Sequence, residues 1–109
     1  MVALRMDGTA RPKRDDAPAL ARKIIRAWFE RNPRNVVSFH WRWNELPQAS
    51  KEMMGAPRTA TVHPKRIVFG PHQSEMSLAN VAGCTVTDDN KLQIYFDGQG
   101  GVAVEYTAA

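Results

Sequence analysis

The chain has 109 residues, of which 43% are hydrophobic and 24% are charged, proportions typical of one small globular domain. Its 15 Lys and Arg exceed its 11 Asp and Glu, so the formal net charge is +4. This composition excludes a wholly disordered chain and a collagen-like repeat, and the single cysteine excludes an internal disulfide framework and a cysteine-rich zinc module.

The charge is unevenly distributed along the chain. Residues 1–66 hold fourteen of the basic residues and six of the acidic ones, a net charge of +8, whereas residues 67–109 carry −4. Such an asymmetry indicates either a basic surface directed at an acidic partner or two halves that attract each other within the fold or a dimer. Charge alone does not choose between these interpretations.

Residues 1–15 are predicted to be a flexible basic arm, because they contain no periodic apolar face. The arm lacks the apolar region and cleavage site of a secretory signal, and no apolar stretch approaches the roughly 20 residues that span a bilayer. We therefore expect a soluble cytoplasmic protein without membrane contact, whose single domain covers residues 16–109.

An amphipathic helix is predicted over residues 16–31, because apolar residues recur there at helical spacing and basic residues fall on the opposite side. Asp15 or Asp16 is placed to act as its N-cap, and Pro18 falls in the first turn, where its missing N–H is harmless. Pro33 ends the helix, because the residue before a proline disfavours the α conformation.

A strand is predicted next, over residues 35–44, because its side chains alternate between two faces. One face is mostly polar, and the other is apolar and aromatic, with Val37, Phe39, Trp41 and Trp43. The shared face favours a core position for the two tryptophans over an exposed position on which bases could stack. Residues 45–61 show no regular pattern and are predicted to be mainly a loop.

From residue 61 onward, short apolar runs separated by turn residues predict a β-meander. The predicted fold class is α+β, with one N-terminal amphipathic helix packed on an antiparallel sheet or partial barrel of five to six strands. The sheet face expected beneath the helix carries Leu92, Ile94, Phe96, Val102 and Val104.

No motif in the sequence indicates catalysis or metal binding. The three histidines lack metal-ligand spacing, Cys84 has small or apolar neighbours, and the glycine-rich segment 98–101 lacks the Lys-Ser/Thr of a phosphate-binding loop. We therefore expect no metal ion, no cofactor and no enzymatic activity. A minor alternative is a nuclease that uses His40 with Glu45 or Glu52 as its acid and base.

The clearest functional indication is the basic residues that are interleaved with aromatic ones in the first half of the chain. Lys and Arg bind phosphate groups electrostatically, and exposed tryptophans can stack bases. The predicted function is a small non-enzymatic binding protein whose basic N-terminal half contacts nucleic acid or another polyanion. The predicted contact residues are Arg11, Lys13, Arg14, Arg22, Lys23, Arg26, Arg31, Arg34, His40 and Arg42.

The alternative function is a module that binds a protein partner, such as an inhibitor or an assembly factor of the kind that mobile elements encode. It would use a sheet edge, the 45–61 loop or the acidic C-terminal half, and Met53 and Met54 suit an adaptable contact surface. If the last strand is a sheet edge, the same strand of a second copy can pair with it and form a homodimer.

Overall fold

A computed structural model of the chain describes residues 14–15, 17–43, 49–71, 73–97 and 102–108. These residues form one α-helix and nine β-strands. In chain order the elements are β1 (Arg14–Asp15), α1 (Pro18–Arg31), β2 (Val36–Trp43), β3 (Ala49–Met53), β4 (Thr59–Val62), β5 (Arg66–Gly70), β6 (Ser74–Ser77), β7 (Val81–Val86), β8 (Leu92–Phe96) and β9 (Val104–Ala108).

The strands pair antiparallel in two sheets. The larger sheet has the order β1–β7–β8–β9–β2–β3, and the smaller has the order β4–β5–β6. A bridge joins them, in which Val36 and Arg58 exchange backbone hydrogen bonds of 2.8 and 2.9 Å. The larger sheet is open, since β1 and β3 are its edges. The predicted α+β fold class is confirmed, and the helix packs on an antiparallel sheet.

The helix begins at Pro18, and Ala17 is its N-cap without a side-chain hydrogen bond. The predicted capping by Asp15 or Asp16 is therefore wrong, because a proline at the first helical position places the cap one residue later than expected. At the other end, the side chain of Asn32 donates a 2.8 Å hydrogen bond to the carbonyl oxygen of Trp28. No helix in the described ranges is both long and apolar enough to cross a bilayer.

The aromatic ring of Phe29 connects the helix to both sheets. Its centroid lies 5.6 Å from the ring of Phe69 in β5 and 5.0 Å from the ring of Tyr106 in β9, each with an edge-to-face geometry. Phe29 is completely buried, as are Leu92 and Ile94 on the larger sheet beneath the helix. The prediction that the helix packs on this sheet is therefore confirmed: Leu92, Ile94 and Val104 share the core with Phe29, and Phe96 packs against it, while Val102 is only half-buried.

The prediction that the aromatic face of β2 lies in the core is wrong. Ser38 pairs with Tyr106 across the sheet and is buried with it in the core, whereas Phe39 and Trp41 on the other face are half-buried. These two rings instead cover the charged end of Lys51, whose Nζ lies 5.3 and 5.8 Å from their centroids. The side chain of Trp43 lies outside the described residues.

Two further predictions about the strands need correction. Part of the predicted loop over residues 45–61 is strand, because β3 takes its backbone hydrogen bonds from β2 in a register that pairs Met53 with Phe39. The C-terminal strand β9 is not an edge, since β8 and β2 flank it on both sides. Pairing with a second copy through β9 is therefore blocked, because both sides of that strand are already hydrogen-bonded.

Candidate functional site

The exposed side of α1 and the turn between β4 and β5 lie against each other. The Nη1 of Arg26 donates a hydrogen bond of 3.2 Å to the carbonyl oxygen of Pro64, which is in that turn. The turn itself is closed by the amide of His63, which donates a 2.9 Å bond to the carbonyl oxygen of Arg66. These two bonds hold residues 63–66 on the helix surface.

Two adjoining clefts follow from this contact, and Pro64 lines both of them. Arg22 and Lys65 line the first cleft, and Arg26 lines the second together with Glu30. Within the described part of the chain, none of these three basic side chains forms an ion pair. We call Arg22, Arg26 and Lys65 with their two clefts the basic surface.

The basic surface contains two of the predicted contact residues and one that the sequence analysis missed. Lys65 is distant from Arg22 and Arg26 in sequence, and only the position of the turn brings it beside them. Three other predicted residues, Lys23, Arg31 and Arg34, are exposed on the helix or just after it. Arg11 and Lys13, and the side chains of Arg14 and Arg42, lie outside the described residues.

Other basic residues of the first half are neutralised by acidic residues of the second half. The Nζ of Lys51 lies 2.7 Å from Glu105 Oε1, and the Nε of Arg66 lies 3.6 Å from Glu75 Oε2. The two halves of the chain therefore attract each other within the fold, as one interpretation of the charge asymmetry required. Neither Glu105 nor Glu75 lines the two clefts, where the three basic residues Arg22, Arg26 and Lys65 outnumber the acidic residue Glu30.

His40, another predicted contact residue, lies apart from the basic surface. It lines a separate cavity, which it shares with Arg58. Partial burial and the positive charge of Arg58 lower the pKa of His40 below its usual 6.5, so its imidazole is mainly neutral at pH 7. We therefore expect His40 to add little to the attraction of a polyanion.

Replacing Arg58 with Gln is expected to raise the pKa of His40, because a positive charge that disfavours protonation is removed. NMR titration of the imidazole C–H resonances measures this pKa directly. Lys65→Gln is the control, since it removes an exposed positive charge that lines a different cleft and not the cavity of His40. An unchanged pKa in Arg58→Gln would contradict the assigned electrostatic contact.

The same lowered pKa predicts how stability depends on pH. The unfolded chain binds a proton at His40 more readily than the folded protein does, so this residue makes stability fall as the pH drops below about 6.5. His40→Gln is expected to flatten this part of the stability profile, measured by urea unfolding between about pH 7.5 and pH 5.5. An identical slope in both proteins would exclude His40 as its source.

The residues of the minor catalytic alternative are only partly described. His40 and Glu52 are register partners on β2 and β3, so their side chains share a sheet face, while Glu45 lies outside the described residues. In the described ranges, no three His, Cys, Asp or Glu side chains are grouped to hold a metal ion.

No protein-family model, curated protein or solved structure matches the chain, so its function is inferred from these surfaces.

Proposed function

We propose that this protein is a non-enzymatic binding protein whose basic surface contacts the phosphate backbone of a nucleic acid. The observation that carries the proposal is the contact between α1 and residues 63–66, which places Arg22, Arg26 and Lys65 around two adjoining clefts without ion pairs. Cations that are spread along a surface match a chain of phosphates better than a single small anion.

The composition of the two clefts also predicts the kind of recognition. Lys and Arg that contact phosphate fix the position of a protein on nucleic acid but carry no sequence information. The ring of Trp41 lies on the larger sheet against Lys51, and Trp41 is not among the residues that line the two clefts. We therefore expect binding that depends weakly on base sequence and strongly on salt.

The salt dependence of binding tests this proposal. With three cations on phosphate groups, the logarithm of the affinity for duplex DNA is expected to fall with the logarithm of salt at a slope of about −2.7. This slope corresponds to a loss of roughly fortyfold between about 50 and 200 mM salt. Fluorescence anisotropy with labelled single- and double-stranded probes measures the affinity and its dependence on salt. No binding to either probe at low salt would refute the proposal.

Two single substitutions that change the net charge equally distinguish a contact at the basic surface from a general effect of the net charge. Lys65→Glu is expected to lower the affinity about tenfold at low salt and to reduce the salt slope by about 1. Lys91→Glu changes the net charge equally but lies near Asp89 in the turn before β8, so we expect it to change the affinity less than about twofold. Equal losses in the two variants would mean that the basic surface is not the contact site.

A second candidate function is favoured by the edge strand β3. Met53 at its end and the following Met54 are 57% and 46% exposed, and methionine side chains adapt readily to different partners. A protein partner would be captured from a native lysate equally well before and after nuclease treatment, and less well by Met53→Glu. Loss of all captured protein after nuclease treatment would support the nucleic-acid proposal instead.

A further inference from the structure

A cavity of about 300 Å³ lies where β2 and β6 approach the ends of β8 and β9. Its walls are largely apolar and aromatic, with Phe69, Met76, Phe96 and Val104, and Arg58 and His40 supply its basic groups. The cavity shares no lining residue with the two clefts of the basic surface. It therefore forms a second site with a different chemistry.

Arg58 is fixed in this cavity by neutral groups. Its Nη1 donates a 2.7 Å hydrogen bond to Ser74 Oγ, and its Nη2 donates a 3.1 Å bond to Ser38 Oγ. The guanidinium carbon lies 4.7 Å from the ring centroid of Phe69. These contacts hold the group in one place, but none of them supplies a negative charge.

The positive charge of Arg58 is not balanced by any carboxylate in the described part of the chain. Its Nε is buried without a hydrogen-bond acceptor among the described residues. A half-buried cation without a counter-ion, one of whose N–H groups also lacks an acceptor, is unfavourable, because such groups in proteins are normally paired. An anion that enters the cavity would supply the missing charge.

Glu75 lines the same cavity but does not neutralise Arg58. Its carboxylate is paired with Arg66 at 3.6 Å, and its side chain is 57% exposed. Because Glu75 lines the cavity and Arg66 does not, the carboxylate of this exposed pair still places negative charge nearer the cavity than the guanidinium places positive charge. This charge disfavours ligands with several negative charges more than ligands with one, since the repulsion grows with the charge of the ligand.

We propose that the cavity binds a small organic monoanion, a carboxylate attached to an apolar ring or chain. Arg58 binds the carboxylate, because its planar guanidinium matches the two carboxylate oxygens. The apolar walls formed by Phe69, Met76, Phe96 and Val104 cover the body of the ligand. The cavity volume of about 300 Å³ is at the lower end of the range found for small-molecule sites. The neutral imidazole of His40 adds a second polar group to the cavity.

Three small molecules test whether this site requires both a carboxylate and an apolar ring. Phenylacetate has both the carboxylate and the ring, phenylacetamide is its neutral counterpart, and acetate lacks the ring. NMR titration of ¹⁵N-labelled protein is expected to give saturable shifts at Phe69 and Met76 with phenylacetate, and at least tenfold weaker binding of the other two. Equal affinities, or shifts that do not saturate or that lie away from the cavity, would overturn the proposal.

Two substitutions then test whether Arg58 binds the carboxylate of the ligand and whether Glu75 opposes its binding. Arg58→Gln is expected to weaken phenylacetate binding at least tenfold. Glu75→Gln leaves the contacts of Arg58 intact and removes the negative charge that Glu75 places at the cavity, so we expect it to strengthen binding about threefold. Phenylacetate binding that is unchanged in both variants would overturn the proposal.

The same titration keeps this site separate from the proposed nucleic-acid contact. Lys65→Glu alters the basic surface but not the cavity, so we expect phenylacetate to bind this variant with unchanged affinity. Loss of phenylacetate binding in Lys65→Glu would contradict an independent cavity site. Failure of nucleic-acid binding alone leaves the cavity proposal standing.

Discussion

Phe29→Ala is expected to lower the free energy of unfolding by about 4 kcal/mol, the largest effect of any single substitution considered for this protein. Phe29 is completely buried, and its ring makes edge-to-face contacts with Trp28 on the helix, Phe69 on the smaller sheet and Tyr106 on the larger sheet. Truncation removes these contacts and leaves a cavity that rigid neighbours on three elements cannot fill.

Urea unfolding monitored by circular dichroism measures this loss. Leu20→Ala is a matched control, because Leu20 is an apolar residue of the same helix but is 45% exposed. We expect the control to lower the free energy of unfolding by less than about 1 kcal/mol. A loss in Phe29→Ala no larger than that of the control would show that the contacts of the Phe29 ring with the two sheets do not stabilise the fold.

Lys51→Met is expected to lower the free energy of unfolding by about 3 kcal/mol, because it leaves the carboxylate of Glu105 buried without its cation. The side chain of Glu105 is only 4% exposed, and its Oε1 lies 2.7 Å from the Nζ of Lys51. After the substitution, Gln93 remains as its hydrogen-bond donor, at 2.8 Å. A neutral amide does not replace a positive charge beside a buried carboxylate.

Substitution of Glu105, the other partner of this ion pair, is expected to lower the free energy of unfolding less. The side chain of Lys51 is 33% exposed, so its ammonium group can turn toward water when its partner loses the negative charge. Glu105→Gln is therefore expected to lower the free energy of unfolding by about 1 kcal/mol, measured in the same unfolding experiment. A loss equal to or greater than that of Lys51→Met would mean that the unequal exposure of the two partners does not determine their contributions.

The helix and the antiparallel pairing of the strands were predictable from local patterns. Which face of β2 lies toward the core was not. Alternation identifies two faces of a strand and does not say which one faces the core. Ser38 occupies the core-facing side because Arg58 donates a hydrogen bond to its hydroxyl, which in turn donates one of 3.4 Å to the carbonyl oxygen of Met54. Those partners are distant in sequence, so the polarity of Ser38 suggested the wrong face.

The candidate sites were predictable only where they lie on one element. Arg22 and Arg26 were predicted together because helical spacing places residues four apart on the same side. Lys65 and Arg58 were missed, since their roles depend on how the smaller sheet meets the helix and β2. Strand β3 was missed as well, because its sequence ASKEM has no apolar alternation and it is an edge strand held by β2.

The bridge between the two sheets at Val36 and Arg58 is made by main-chain groups alone. Any residue other than proline at position 58 supplies the same amide and carbonyl, so a substitution there keeps the main-chain bridge and removes only the bonds from the guanidinium to Ser74 on the smaller sheet and Ser38 on the larger sheet. The residue at position 58 can therefore change the chemistry of the cavity while the main-chain bridge between the sheets stays in place. A lysine, glutamine or leucine there would keep this bridge and would replace the guanidinium in the cavity with an ammonium, an amide or an apolar group, each suited to a different class of ligand.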